Sequence, residues 1–288
     1  MEFMQAWDGH TVRRWMVENV DVVGYICGCY LTLVFTGPKL FARLKGRGEA
    51  TAAAPEKRSE DSLGFSAVRR AMVLWNLGLS IFSIFGTSTV TPTLVRNIVN
   101  KGFYEATCTF NEEEFYTTSV GFWMGIFALS KIPELMDTVF LVLQGKQPLP
   151  FLHWYHHVTV LLFSWHTYCV GSSGYIWVAA MNYSVHSIMY LYFAIAVMGY
   201  KSLVRPLAPY ITLMQISQMV MGCFVTLYAM RASYEGRGCG MSWSNMRIQL
   251  LMYASYLYLF SEMFVKAHVL PRPKPVAGTV NGPTKKSN

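Results

Sequence analysis

Seven stretches of this chain are long and apolar enough to cross a hydrocarbon layer, and short charged segments separate them. They fall near 20–36, 71–90, 116–143, 152–170, 175–197, 207–229 and 246–268. Each falls in or above the range of about 17–25 residues that a membrane helix needs. Inside lipid, a helix satisfies all of its backbone N–H and C=O groups by itself. The expected fold is therefore an all-α integral membrane protein of seven transmembrane helices, organised as one membrane domain over 1–288. Composition agrees. Only 14% of the residues are charged and 53% are hydrophobic, whereas a soluble domain carries about a quarter charged.

The net charge of +8 does not make this a nucleic-acid binder, because no basic helix or aromatic-basic motif accompanies it. Its distribution orients the chain instead. The segment 37–70, Lys146, Lys201, Arg205 and the C-terminal stretch hold sixteen of the 24 lysines and arginines. The other side holds Arg13, Arg14, Arg96, Lys101, Arg231, Arg237 and Arg247. The positive-inside rule makes the first set cytosolic, so the N-terminus is expected on the lumenal or outer side and the C-terminus in the cytosol. Residues 1–18 lack the apolar core of a cleavable signal, and the first span is expected to target the chain. Residues 46–62 and the tail 271–288 read as flexible. Cys108 and Cys239 fall in two loops on the non-cytosolic side, where disulfides persist, and form a candidate bridge.

An ionisable group at bilayer depth costs about 2.5–3.5 kcal/mol on insertion scales, so such residues mark function. The third span carries Lys131, Glu134, Asp137 and Thr138, with Pro133 expected to kink the helix between them. Lys131, Glu134 and Thr138 should lie near one face, with Asp137 offset. The fourth span opens with His153, His156 and His157. The fifth carries Asn182, His186 and Tyr190 at steps of four, on one face. The sixth carries Thr212, Gln215 and Gln218. A single Lys–Glu pair is structural as often as functional, and a glutamine stripe can be interhelical glue. Four consecutive polar stripes can satisfy one another only by converging, which predicts a polar chamber inside the bundle.

Two chemistries use such histidines: metal binding, or acid–base and nucleophilic work. His-x-x-His-His is a box of membrane di-iron desaturases and hydroxylases. Those enzymes need about eight histidine ligands from several boxes. This chain has seven histidines, two of them (His10, His268) outside or at the edge of the spans. A zinc on three or four of them stays open. Seven spans also describe heptahelical receptors, which have no need of such a cluster. A transporter would show broken helices in two matching halves, which are not evident.

The segments Lys131-Ile-Pro-Glu-Leu-Met-Asp-Thr, Phe151-Leu-His-Trp-Tyr-His-His157, Met181-Asn-Tyr-Ser-Val-His186-Ser-Ile-Met-Tyr190 and Thr212-Leu-Met-Gln-Ile-Ser-Gln218 resemble, in order and spacing, those of the ELO family. Its members are very-long-chain fatty acid elongases, the condensing 3-ketoacyl-CoA synthases of the endoplasmic reticulum. The resemblance implies six helices wrapped around an acyl tunnel and a reaction of acyl-CoA with malonyl-CoA, giving 3-ketoacyl-CoA, CoA and carbon dioxide. It implies no metal and no cofactor. It places an acyl-imidazole intermediate on His156. His153, His157, His186, Lys131, Asp137 and Asn182 are expected in catalytic support, and Glu134, Tyr190, Gln215 and Gln218 in substrate binding. Expected partners are the two thioesters, membrane lipid, the other enzymes of the elongation cycle and a second copy of the chain. Trp154 in the box resembles the branch acting on saturated and monounsaturated chains. Lys285 and Lys286 resemble an endoplasmic-reticulum retrieval signal.

Overall fold

A computed structural model describes residues 7–51 and 63–270, with side chains placed for 7–44 and 67–270. The tail 271–288, with Lys285 and Lys286, and most of the 46–62 stretch lie outside what is described. Every regular element among the described residues is helical. In chain order the α-helices are α1 (Gly9–Glu18), α2 (Val20–Thr51), α3 (Leu63–Lys101), α4 (Phe103–Cys108), α5 (Glu112–Tyr116), α6 (Ser119–Ser130), α7 (Met136–Leu143), α8 (Phe151–Val170), α9 (Tyr175–Ile195), α10 (Lys201–Val204), α11 (Ala208–Tyr234) and α12 (Trp243–Phe264).

Among the described residues, four stretches are long and apolar enough by themselves to cross a membrane: Val20–Leu44, Ala67–Lys101, Tyr175–Tyr234 and Trp243–Val269. The third of these contains two long helices, α9 and α11. They are separated at Gly199, whose φ of 108° is open to glycine and strained for other residues. Two further apolar runs fall short on this criterion for reasons visible in their sequence. The run 116–143 is broken between α6 and α7. The run of α8 carries four histidines, His153, His156, His157 and His166.

The break between α6 and α7 follows from Pro133. Its nitrogen donates no hydrogen bond, and the chain tightens into a 3-10 turn over Pro133–Leu135. The Ile132 amide bonds back to Leu129 and the Leu135 amide to Ile132. The tighter winding turns the residues after the proline away from those before it.

Neighbouring helices pack in a closed order: α3 on α9, α9 on α11, α11 on α12, α12 on α8, α8 on α6, and α6 back on α3. α2 packs outside this ring, against α7 and α8. The α3–α9 contact is the most extensive. Tyr183 lies over Gly86, where a Cβ would meet the ring at 2.6 Å, so only glycine admits it. Large apolar side chains such as Tyr25, Leu74, Val99, Leu203 and Leu251 point outward, as lipid contact requires.

One end of the ring is filled with aromatic side chains. Trp165, Tyr168, Tyr175, Tyr183, Tyr116 and Phe127 are almost fully buried. α1 closes this end: Trp165 donates to the Met16 carbonyl at 3.0 Å and Arg13 to the Cys169 carbonyl at 2.7 Å. Cys108 and Cys239 form a disulfide that ties α4 to the segment between α11 and α12. Beside it the Gly240 amide bonds to the Cys108 carbonyl and the Ser173 amide to the Gly240 carbonyl.

Candidate active site

Away from the aromatic end, polar side chains from α6, α7, α8 and α9 meet inside the bundle. The Lys131 ammonium, 2% exposed, donates to Glu134 Oε1 at 2.7 Å and to Asn182 Oδ1 at 3.1 Å. It also lies 4.2 Å from the centroid of the Phe127 ring, which is cation–π range. Ser130 donates to the same Glu134 oxygen at 3.0 Å. Glu134 Oε2 is buried without a hydrogen-bond partner.

The Lys131 contact sets the direction of the next bond. An ammonium only donates, so the amide oxygen of Asn182 faces it and the amide nitrogen faces away. That nitrogen lies 3.1 Å from His186 Nε2. His186 Nε2 must then accept, which places the ring proton on Nδ1. The i, i+4 spacing on α9 that aligns Asn182 with His186 also brings Tyr190 edge-on to the imidazole, at 5.3 Å between centroids.

The rotation at Pro133 sends the residues of α7 elsewhere. Asp137 accepts from Trp75 Nε1 on α3 at 2.7 Å and from the Tyr190 hydroxyl at 2.9 Å. Thr138 lies 2.8 Å from His153 Nε2 and 2.8 Å from the Tyr30 hydroxyl of α2. The single face expected for Lys131, Glu134 and Thr138 is thus corrected. The pair before the proline turns to α9, Asp137 bridges α3 and α9, and Thr138 turns to α2 and α8.

Three of the four α8 histidines, His153, His156 and His157, cluster at its start. His153 and His157, four residues apart, lie 4.5 Å apart between ring centroids, and His156 lies 5.5 Å from His157. His157 and His186 are buried, and His157 Nδ1 has no hydrogen-bond partner. His156 is only partly buried and lies 5.1 Å from the Tyr256 ring of α12. Tyr256 bonds to Thr159 at 2.5 Å and reaches the His156 carbonyl at 3.4 Å, fixing this turn against α12. Among the described residues, no hydrogen bond occupies either ring nitrogen of His156. Nor are any three His, Cys, Asp or Glu side chains among them grouped to hold a metal ion.

Of the expected site residues, His153, His156, His157, His186, Lys131, Glu134, Asp137, Asn182 and Tyr190 come together. The glutamines of α11 stand apart. Gln215 donates to Met189 Sδ at 3.3 Å. Gln218 lines an apolar groove of about 590 Å³ between α3, α9 and α11. A cavity of about 100 Å³ lies at the disulfide end, and neither it nor the groove is lined by a histidine. Sequence reasoning missed Tyr30, Trp75, Ser130 and Tyr256. Tyrosine and tryptophan are common in apolar spans, and no spacing singles these out.

The sequence matches the GNS1/SUR4 family, also called ELO, over residues 15–276. The chain belongs to this family. It is 80% identical to fatty acid elongase 1 of Trypanosoma cruzi (strain CL Brener), the match covering the whole of both chains. It is 70% identical to fatty acid elongase 1 of Trypanosoma brucei brucei over 97% of this chain and 91% of that one. Fatty acid elongase 2 of T. cruzi is 49% identical over 96% of each. The protein is accordingly a multi-pass membrane enzyme, a fatty acid elongase of the 3-ketoacyl-CoA synthase type. Its elongase chemistry takes acyl-CoA and malonyl-CoA as substrates. The polar cluster, built from the segments that carry the family resemblance, is the candidate place for that condensation.

Proposed function

We propose that the elongase condenses its two thioesters by a two-step route through an acyl group carried on His156. The observation that carries this reading is the state of that imidazole. The residue is partly accessible, no hydrogen bond among the described residues occupies either ring nitrogen, and the His157 and Tyr256 rings lie beside it. The other histidines of the cluster are engaged or buried. His153 and His186 are bonded through Nε2, and His157 is buried. Cysteine, the common nucleophile of soluble condensing enzymes, is absent from the cluster. Cys169 sits at the far end of α8, where Arg13 bonds its carbonyl.

In the first step a nitrogen of neutral His156 attacks the acyl thioester carbon and the C–S bond breaks. The thiolate takes the proton that the ring gives up, leaving free CoA and an N-acyl imidazole. In the second, malonyl-CoA loses carbon dioxide and its enolate carbon attacks the acyl carbon. The C–N bond breaks, and the ring regains a proton from solvent. The Nδ1–H of His186, held in that tautomer through Asn182 and Lys131, is the donor for the developing enolate oxygen. Asp137, held by Trp75 and Tyr190, keeps α7 in register with α3 and α9 beside it.

The same reading places the acyl chain inside the ring of six helices, its end toward the aromatic side chains. The ring with α2 outside it supports seven membrane crossings. Loop charge puts the disulfide and α1 in the lumen of the endoplasmic reticulum and the C-terminus in the cytosol. Saturated or monounsaturated chains are the proposed substrates, on the strength of Trp154 in the histidine box. The other enzymes of the cycle and a second copy of the chain are the proposed partners.

The test uses the purified enzyme with acyl-CoA alone. One equivalent of free CoA should appear, with a covalent acyl mass on the peptide containing His156, and malonyl-CoA should discharge it. A chain that condenses the two thioesters without ever taking this label refutes the carrier role.

A further inference from the structure

The bond run on the α2 side mirrors the run from Lys131 to His186. There a head group that only donates, Lys131, fixes a relay, Asn182, which fixes an imidazole. Here the head group is Tyr30, the relay is Thr138 and the imidazole is His153, with both separations at 2.8 Å. Tyr30 is 4% exposed and Thr138 is fully buried. Among the described residues the Tyr30 hydroxyl has no hydrogen-bond partner besides Thr138.

Each hydroxyl in this run carries one proton. If Thr138 donated to Tyr30, the buried phenol proton would have no acceptor, which is costly. With Tyr30 donating to Thr138, Thr138 donates to His153 Nε2 and every proton is used. His153 Nε2 then accepts, and its ring proton sits on Nδ1. The His153 ring lies 4.5 Å from His157, which lies 5.5 Å from His156. Tyr30 itself lies 6.3 Å from the His157 ring.

We infer that Tyr30, on the helix outside the ring, is a positioning residue of the condensation. Through Thr138 it fixes the tautomer and orientation of His153, and so the side of the histidine turn against which His156 works. This rests on the histidine turn being the reacting centre. It gives α2 a role beyond anchoring, since removal of one phenol oxygen on it reaches the chemistry through a single relay.

The experiment compares Tyr30→Phe, Thr138→Val, Thr138→Ser and the double variant Tyr30→Phe/Thr138→Val in the full-length enzyme. Tyr30→Phe should lower kcat at least about tenfold, as loss of a fixed tautomer does in related relays, with the KM of both thioesters unchanged. Thr138→Val should lower kcat similarly, and the double variant no further, because the run acts as a unit. Thr138→Ser keeps the hydroxyl and should retain near-normal kcat. In protein carrying ¹⁵N-labelled histidine, the His153 signals should move away from the pure Nδ1–H pattern in Tyr30→Phe. A normal kcat in Tyr30→Phe overturns the inference. So do losses that multiply in the double variant, or an unaltered His153 signal. Failure of the unsubstituted enzyme to take the acyl label would count against the His156 carrier alone, because the kcat and His153 readouts do not require it.

Discussion

The two ends of the helical ring use the same kinds of residue in opposite ways. At the closed end, several aromatic side chains bond through their polar tips to backbone carbonyls. Tyr116 donates to the Tyr168 carbonyl, Tyr183 to the Trp123 carbonyl, and Trp165 to the Met16 carbonyl. At the histidine end, side chains bond to other side chains in directed runs: Lys131 to Asn182 to His186, and Trp75 and Tyr190 to Asp137. A backbone carbonyl is present whatever the side chain, so the first pattern survives most substitutions nearby. In the second, each group depends on the identity of the next, and one change leaves a buried polar atom unpaired. The closed end is built to hold shape, and the histidine end to hold proton positions.

Substitutions at the two ends should therefore separate activity from stability, and the sharpest case is His156→Ala. It should lower product formation by at least about 10³-fold, the scale seen when a nucleophile is removed. The melting temperature in detergent should stay within a few degrees of the unsubstituted enzyme. A melting temperature that fell together with activity would erase the distinction at that residue.

Lys131→Ala should cost both properties. It strands Glu134 as a buried carboxylate, for which losses of about 3–5 kcal/mol are typical. Adding Glu134→Gln should recover part of the stability and none of the activity, read by thermal unfolding beside turnover. At the closed end, Cys108→Ser should release a loop of 131 residues in sequence separation. Chain-entropy treatment gives about 4.7 kcal/mol for a loop of about 100 residues. Thermal stability should drop while kcat and KM measured below the transition do not change. A matched fall in kcat would mean that the two ends are coupled.

Tyr183→Phe should be milder, losing one hydrogen bond worth about 1 kcal/mol with no change in turnover. The smallest effect concerns α1, which starts at an Asp8 cap. Hydrogen bonds from the Thr11 side chain and backbone hold the Asp8 carboxyl below the usual carboxylate range. A depressed value in the folded state stabilises the cap above the unfolded carboxylate pKa and is lost as pH falls through the folded one. Amide exchange over residues 9–18 should accelerate only on strong acidification. Exchange that rose equally in the segment holding His156 would contradict a local cap.

Much of the site was legible because helical spacing is arithmetic. Asn182, His186 and Tyr190 are four residues apart and share a face, and His153 and His157 do the same on α8. Pro133 marked the break in the third run. The direction taken after it was not legible, since a proline says that a helix departs from its path and not by how much. That rotation carries Thr138 to Tyr30 and Asp137 to Trp75. The aromatic partners stayed hidden because an apolar span is expected to contain tryptophan and tyrosine anyway. For the glutamines, regular spacing shows that they share a face of α11, and the packing of α3 and α9 decides what that face meets.

The sequence by itself determined the all-helical membrane fold, through the length of its apolar runs and the scarcity of charge. It also determined which turns of α6, α7, α8 and α9 are polar. Helix ends escaped it, because a helix such as α2 or α3 runs on past the apolar stretch wherever its backbone stays bonded. Only the tertiary structure decided that α2 lies outside the ring, that α1 closes one end, and which partner each buried polar group takes. The physical reason is that apolarity and helical period are local properties of a segment. The pairing of a hydroxyl with an imidazole across two helices depends on how those helices are rotated against each other.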